Sequence, residues 1–362
     1  MLCLGIESSC DETAMALVRD GVLLGERIAS QVDMHAVFGG VVPELASREH
    51  LRWLHPLMDD LLEATGIAVS AIDCVAVSRG PGLLGSLLVG LGFAKGFAYG
   101  RGIPLVGVNH LPAHLLAVGL QRELIFPSIG LLVSGGHTHL YHMRSPVDLE
   151  LIGRTLDDAA GEAFDKVAKL LNFPYPGGKH IDHLGKDVVP DHDLFPRPYL
   201  NNDNFNFSFS GLKTAVLQYV QKHPALVMSS MDAVLQPDYE PDPALTRLCS
   251  SFNWTVAETL RVKTERALDR YPDVRALYVA GGVAANSVVR EIMQSVAVKR
   301  DKALLLPPLS LCTDNGAMIA FYGEILARAG LFHGLDLEAI PRGKQIPWDY
   351  GVDRKLADHY SQ

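Results

Sequence analysis

An apolar run, a tight polar turn and a second apolar run open the chain, and the same order returns near residue 130. In the first copy, residues 2–6 and 14–18 flank the turn Glu7-Ser8-Ser9-Cys10-Asp11-Glu12-Thr13, and a short run at 22–24 follows Asp20-Gly21. In the second, residues 129–133 and 139–143 flank Ser134-Gly135-Gly136-His137-Thr138. The copies continue alike. Residues 72–78 lead through Arg79-Gly80-Pro81-Gly82 into a helical stretch at 83–99 and another apolar run at 104–108. Residues 276–280, Gly281-Gly282, 286–298 and 303–306 repeat that order. Short apolar runs bounded by glycine-bearing turns read as buried strands, and the longer stretches between them as helices.

Two similar α/β halves follow from this duplication, and 362 residues exceed what one hydrophobic core usually supports. The order of elements describes the two-lobed architecture of actin, hexokinase and the heat-shock ATPases, with duplicated mixed-sheet domains and a nucleotide in the interlobe cleft. The expected division is an N-terminal lobe at 1–108, a C-terminal lobe at 109–328 carrying metal and nucleotide sites, and a tail at 329–362 that packs back on the surface. No apolar run is long enough to span a bilayer and no basic leader opens the sequence, so a cytoplasmic protein without membrane contact is expected. Five scattered cysteines without a C-x-x-C argue against a disulfide framework or a thiolate zinc site. A net charge of −9 disfavours unaided nucleic-acid binding, so an RNA role needs a local basic patch or a helper subunit.

Asn109-His110-Leu111-Pro112-Ala113-His114 carries two histidines four apart after an apolar strand. With Asn109 as cap, Pro112 falls in the first turn of a helix, where its missing N–H is harmless, and both imidazoles share one face. Zinc proteases use this spacing with a glutamate beside the first histidine, and here that place is Leu111. The pair is therefore a metal clamp without a hydrolytic base, or simply two polar residues at a helix start. A third ligand is offered by Cys312-Thr313-Asp314-Asn315-Gly316, where Asp314 reads equally as a helix cap.

Other stretches are less specific. The turn at 7–13 and its acids Asp11 and Glu12 suit either phosphate approach or capping. A helix at 156–171 places Asp158, Glu162 and Asp165 on one stripe, as a solvated face or as a ribose ligand. Tyr175-Pro176-Gly177-Gly178 is a loop open to a ligand, with Asp182 beyond it, and Ser210 reads as a helix cap. The helix after Gly39-Gly40 has Leu45, Leu51, Leu54, Leu57, Met58, Leu61 and Leu62 as its apolar stripe, with Arg48, Glu49, His50 and Arg52 facing solvent. Glycines at 85, 90, 92 and 96 imply close packing of the helix at 83–99. Residues 222–244 read as an irregular insertion.

Taken together these motifs resemble the TsaD family of tRNA N6-threonylcarbamoyladenosine transferases, once described as O-sialoglycoprotein endopeptidases. The resemblance runs from Leu4-Gly5-Ile6-Glu7 through Val42-Pro43-Glu44-Leu45-Ala46-Ser47-Arg48, the histidine pair, Ser134-Gly135-Gly136-His137-Thr138 and Phe207-Ser208-Phe209-Ser210-Gly211-Leu212-Lys213 to Thr313-Asp314-Asn315-Gly316. It implies transfer of the threonylcarbamoyl group of threonylcarbamoyl-AMP to the adenosine beside the anticodon (position 37) of tRNAs reading A-starting codons, with AMP released. It also implies one divalent ion per subunit, iron(II) first and zinc as the alternative, on His110, His114 and Asp314. Leu132, Val133, Ser134, Gly135 and Gly136 would line the nucleotide site, Asp165 and Asp182 the ribose, Gly178 the adenosine and Asn286 the base side. The implied partners are tRNA, an inactive paralogue of the same fold and a small P-loop ATPase. Loss of the amine proton needs an acceptor, and Glu12 or Asp11 is the candidate, with a structural role the alternative for either. A metalloprotease and a sugar kinase of the same fold are the rival readings, the first opposed by Leu111.

Overall fold

The computed structural model describes residues 1–236 and 239–352. β1 (Leu2–Glu7) is buried along its whole length and pairs antiparallel with β2 (Glu12–Arg19), Leu2 opposite Arg19 and Glu7 opposite Ala14. β3 (Val22–Ser30) continues the antiparallel pairing as a half-exposed edge strand. After α1 (Val32–Ala36) and α2 (Pro43–Thr65), β4 (Cys74–Gly80) joins β1 in parallel. Then come α3 (Leu84–Arg101), β5 (Leu105–Asn109), parallel to β4, and α4 (His110–Leu116).

The second half follows the same plan. β6 (Ser128–Val133), β7 (Thr138–Ser145) and β8 (Asp148–Arg154) form an antiparallel meander. Four helices follow, α5 (Ala160–Leu170), α6 (Gly178–Gly185), α7 (Ser210–Lys222) and α8 (Pro243–Arg270). β9 (Ala276–Ala280) then pairs parallel with β6, α9 (Ser287–Lys299) crosses over, and β10 (Ala303–Leu305) pairs parallel with β9. The sheet orders are β3-β2-β1-β4-β5 and β10-β9-β6-β7-β8, the same order once the second is read backwards. The duplication seen in the sequence is thus a duplication of topology, as the actin and hexokinase architecture requires.

The chain returns to the first half in α10 (Gly316–Arg328), which lies on β1, β2 and β4, and ends in the small ladder of β11 (Leu331–Phe332) and β12 (Gly351–Val352). A Cβ at Gly5 would fall 2.3 Å from the Ala320 backbone nitrogen, so glycine in β1 is what lets α10 approach. The chain therefore divides differently from the expected lobes. One unit runs up to Leu124 and resumes at Thr313, and Ile125–Cys312 is the other. α4 and α10 pack on the first sheet, so the first unit runs on past the expected boundary at 108, and the described part of the expected tail, 329–352, belongs to that unit, with Leu337 in its core.

Local readings were corrected by packing. Counting back from Leu54 in steps of four reaches His50 and Ala46, and those two are buried, whereas Leu51 is 68% exposed. Gly85 and Gly90 abut Ser47 and Ser8, but an added Cβ at Gly92 or Gly96 meets nothing. The helix expected from 156 starts at Ala160. Asp157 lies ahead of it and accepts from Ser208 Oγ (2.5 Å), Phe209 N (2.8 Å), Ser210 N (3.2 Å) and Ser210 Oγ (2.8 Å). Ser210 is thus the first residue of α7 rather than its cap, and Asp157 supplies the missing acceptor from a distance. Within 222–244, Pro224–Leu226 and Met231–Leu235 form short 3-10 turns, while 237–238 and 353–362 lie outside the described residues.

Candidate metal centre and glycine turns

Asn109 ends β5 and its side chain accepts from Leu111 N at 3.1 Å, so α4 starts at His110 as its cap chemistry demands. The i, i+4 spacing then brings His114 Nε2 to 3.1 Å from His110 Nε2. Asp314 Oδ1 stands 3.0 Å from His114 Nε2 and 3.4 Å from His110 Nε2. Asp314 is not a cap, because Asn315 takes that role by accepting from Met318 N. All three residues belong to the first unit.

Three donor atoms on edges of 3.0–3.4 Å fit a single small cation. Ligands about 2.0–2.1 Å from a tetrahedral centre lie about 3.3 Å apart. Two imidazoles and a carboxylate, with Leu111 rather than an acid beside them, form the donor set of a site that keeps positions open. Without a cation these atoms share protons. Burial opposes a charge on His110, but Glu7 and Asp314 outweigh it and hold the imidazolium well above its ordinary value of 6.5. Burial likewise opposes ionisation of Asp314, and the two histidines outweigh it and hold the carboxyl well below its usual range.

Glu7 was not singled out in the sequence, although a carboxylate ending an apolar strand is a signal in itself. It is fully buried. His110 Nδ1 donates to its Oε2 at 3.0 Å, and its Oε1 accepts from Ser9 N at 2.5 Å. A carboxylate behind a ligating imidazole fixes ring orientation and raises ligand basicity. The turn at 7–13 is otherwise occupied with itself. Ser8 Oγ donates to the Ser86 carbonyl at 3.1 Å and Leu83 N to the Ser9 carbonyl at 2.8 Å, which favours a structural over a phosphate role for this turn. At its end, burial together with Asp314 and Asp11 pushes Glu12 up to about 9.

The expected nucleotide residues all fall in the second unit. Leu132 and Val133 end β6, and Ser134 closes the following turn by accepting from and donating to His137. An added Cβ at Gly135 meets nothing within 4 Å, so one side of that turn is open. Gly281, at φ +92°, lies against the Val133 carbonyl, which sets the turn after β9 beside the turn after β6. Asp165 Oδ1 accepts from Gly177 N at 2.9 Å, ahead of Gly178 at the start of α6. Asp182 accepts from Ser287 Oγ at 2.7 Å, and Asn286 caps α9 while donating to Asn253 at 2.9 Å. These three polar side chains hold the loops in place, a use that spacing alone did not reveal.

A family model described as tRNA N6-adenosine threonylcarbamoyltransferase, TsaD, matches residues 22–321. A protein of that name from Nitratidesulfovibrio vulgaris (strain DP4) is 60% identical over 353 residues, covering 97% of this chain and 98% of its own. Another from Maridesulfovibrio salexigens is 60% identical over 352 residues, covering 97% and 99%. Among solved structures, full-length HypF in its phosphate- and nucleotide-bound form aligns with a TM-score of 0.56 at 12% identity, over 90% of this chain and 46% of that one, a likeness of fold alone. No helix among the described residues is long and apolar enough to cross a membrane. With family model, full-length relatives and motif order in agreement, the chain belongs to the TsaD family of tRNA N6-adenosine threonylcarbamoyltransferases, transferases that modify tRNA.

Proposed function

We propose that this protein transfers the threonylcarbamoyl group of threonylcarbamoyl-AMP to N6 of adenosine 37 in tRNAs reading A-starting codons. The observation that carries this beyond the family name is the cluster of His110, His114 and Asp314, backed by Glu7. In the reaction the N6 nitrogen bonds to the carbamoyl carbon, the bond from that carbon to the AMP phosphate oxygen breaks, AMP leaves, and one amine proton is given up. His110, His114 and Asp314 would hold iron(II) or zinc, and two histidines with one carboxylate favour iron(II). Such an ion supplies Lewis-acid polarisation of the acyl oxygen, a contribution of several kcal/mol in comparable enzymes.

The remaining roles fall to the chain's own groups. The turn at 134–137, open beside Gly135, receives the AMP phosphate on backbone N–H groups, with Leu132 and Val133 lining the same site, Gly178 near the adenosine, Asp165 and Asp182 on the ribose side and Asn286 toward the base. Asp11 accepts the amine proton at neutral pH, or Glu12 above the value of about 9 to which burial and its acidic neighbours raise it. A tRNA substrate implies action in the cytoplasm. A net charge of −9 disfavours unaided tRNA binding, and an inactive paralogue of the same fold and a small P-loop ATPase are the helpers that would supply the missing surface.

The ligand assignment is tested by His110→Ala, His114→Ala and Asp314→Ala. Each is expected to lower bound metal, read by elemental analysis, and threonylcarbamoyl transfer together. Full metal occupancy in Asp314→Ala would remove that residue from the site.

A further inference from the structure

α2 buries Ala46, His50, Leu54, Leu57, Met58 and Leu61, and His50 is the one polar member of that stripe. A leucine at this position would continue the apolar face, so a histidine without exposed surface has to be explained by what it bonds. Its Nε2 lies 2.9 Å from the Cys10 carbonyl oxygen and its Nδ1 2.7 Å from Thr13 Oγ1. A carbonyl can only accept, so Nε2 carries the hydrogen, and Nδ1 of the neutral ring accepts from the Thr13 hydroxyl. These two partners bracket Asp11 and Glu12. Gln31 N donates to the Asp11 carbonyl at 3.0 Å, so the segment is held at three successive places.

Such a clamp has a physical purpose here. Asp314, Asp11 and Glu7 all act on Glu12 and, with burial, raise its carboxyl, so a segment that gathers acids in this way needs its backbone held in place. We propose that His50 is a positioning residue for transfer: by bonding Cys10 and Thr13 it fixes the backbone that presents Asp11 and Glu12 to the proton leaving the tRNA amine. This rests on the reading above that one of these acids is the proton acceptor. His50 itself stands outside the three-donor cluster and touches no reacting atom.

The test uses the full chain in the reconstituted transfer reaction with its helper proteins, comparing His50→Leu, His50→Gln, Asp11→Asn and Glu12→Gln with the parent. His50→Leu is expected to lower the turnover rate about 100-fold, the scale on which a misplacement of about 1 Å acts on a catalytic step. The KM for threonylcarbamoyl-AMP and the bound metal should stay at parental values. His50→Gln, whose amide N–H replaces Nε2–H toward Cys10, should recover part of the rate. A parental turnover rate in His50→Leu overturns the proposal. So does a joint loss of rate, substrate affinity and metal that glutamine does not rescue, since that describes a merely structural residue. If one of Asp11→Asn and Glu12→Gln is inactive while His50→Leu is unaffected, positioning fails and the acceptor reading stands. Full activity in both acid variants removes the acceptor and this proposal with it.

Discussion

At the scale of single residues, the centre is built from the outside in. Glu7 fixes His110, and α4 fixes His114 relative to His110. Glu7→Gln removes the charge behind His110 while keeping its size, and metal affinity by competition with a chelator should fall about 10- to 100-fold. An unchanged affinity would show that Glu7 serves only the turn. The protons held on the metal-free cluster give a second expectation. His110 is raised above 6.5, so a cation must displace its proton, and metal affinity should climb as pH rises through that elevated value. For the metal-free protein the sign reverses. The stability that His110 gains from Glu7 and Asp314 is complete below 6.5 and is lost as pH rises through the raised value. Metal affinity that is flat between pH 6 and 9, read by the same competition, would contradict the shared-proton picture. The histidine pair was legible because spacing on a helix is a local property, whereas Asp314, 200 residues from His114, was a candidate by its motif and a ligand only by the family resemblance. Glu7 and His50 were not legible, because their partners lie 103 and 40 residues away along the chain.

Among elements, most strands were legible and the helix ends were not. Apolar runs bounded by glycine turns located β1, β2, β4, β5, β6, β7, β9 and β10 to within a residue or two, since burial leaves little polar alternation to misread. The largely exposed β8 offered no such run, and β3 continues to Ser30 beyond its apolar stretch at 22–24. Helix starts failed where a side chain from elsewhere supplied the cap. Asp157 is the instance, with four donors from Ser208, Phe209 and Ser210. Burial would raise its carboxyl, but Ser208, Phe209 and Ser210 outweigh that and hold it below 3.8. Asp157→Ala should therefore lower stability by about 1 kcal/mol, the typical worth of a lost cap. That contribution is present above the ordinary carboxylate range and disappears as pH falls through the lowered value. Chemical denaturation at pH 7 and pH 3 checks both parts, and an equal deficit at the two values would mean that the ionised carboxylate is not what holds α7.

For the whole molecule, the doubled sheet order was the most legible property, and the domain boundary the least. Both sheets run strand for strand in the same order, as the repeated apolar runs required. The boundary was hidden because α10, late in the chain, returns to the first sheet and carries Asp314 in with it, a contact that no local pattern records. Threonylcarbamoyl transfer to tRNA, by a chain that works with helpers, is open to one direct measurement. Metal-loaded protein is incubated with threonylcarbamoyl-AMP and unmodified tRNA at physiological salt, with and without the paralogue and the P-loop ATPase, and the nucleosides are read by mass spectrometry. Threonylcarbamoyladenosine is expected at position 37 with one AMP released per group transferred, over many turnovers with the helpers and little without them. No modified adenosine with all components present would contradict the transfer itself, and many turnovers by the lone chain would contradict its dependence on partners.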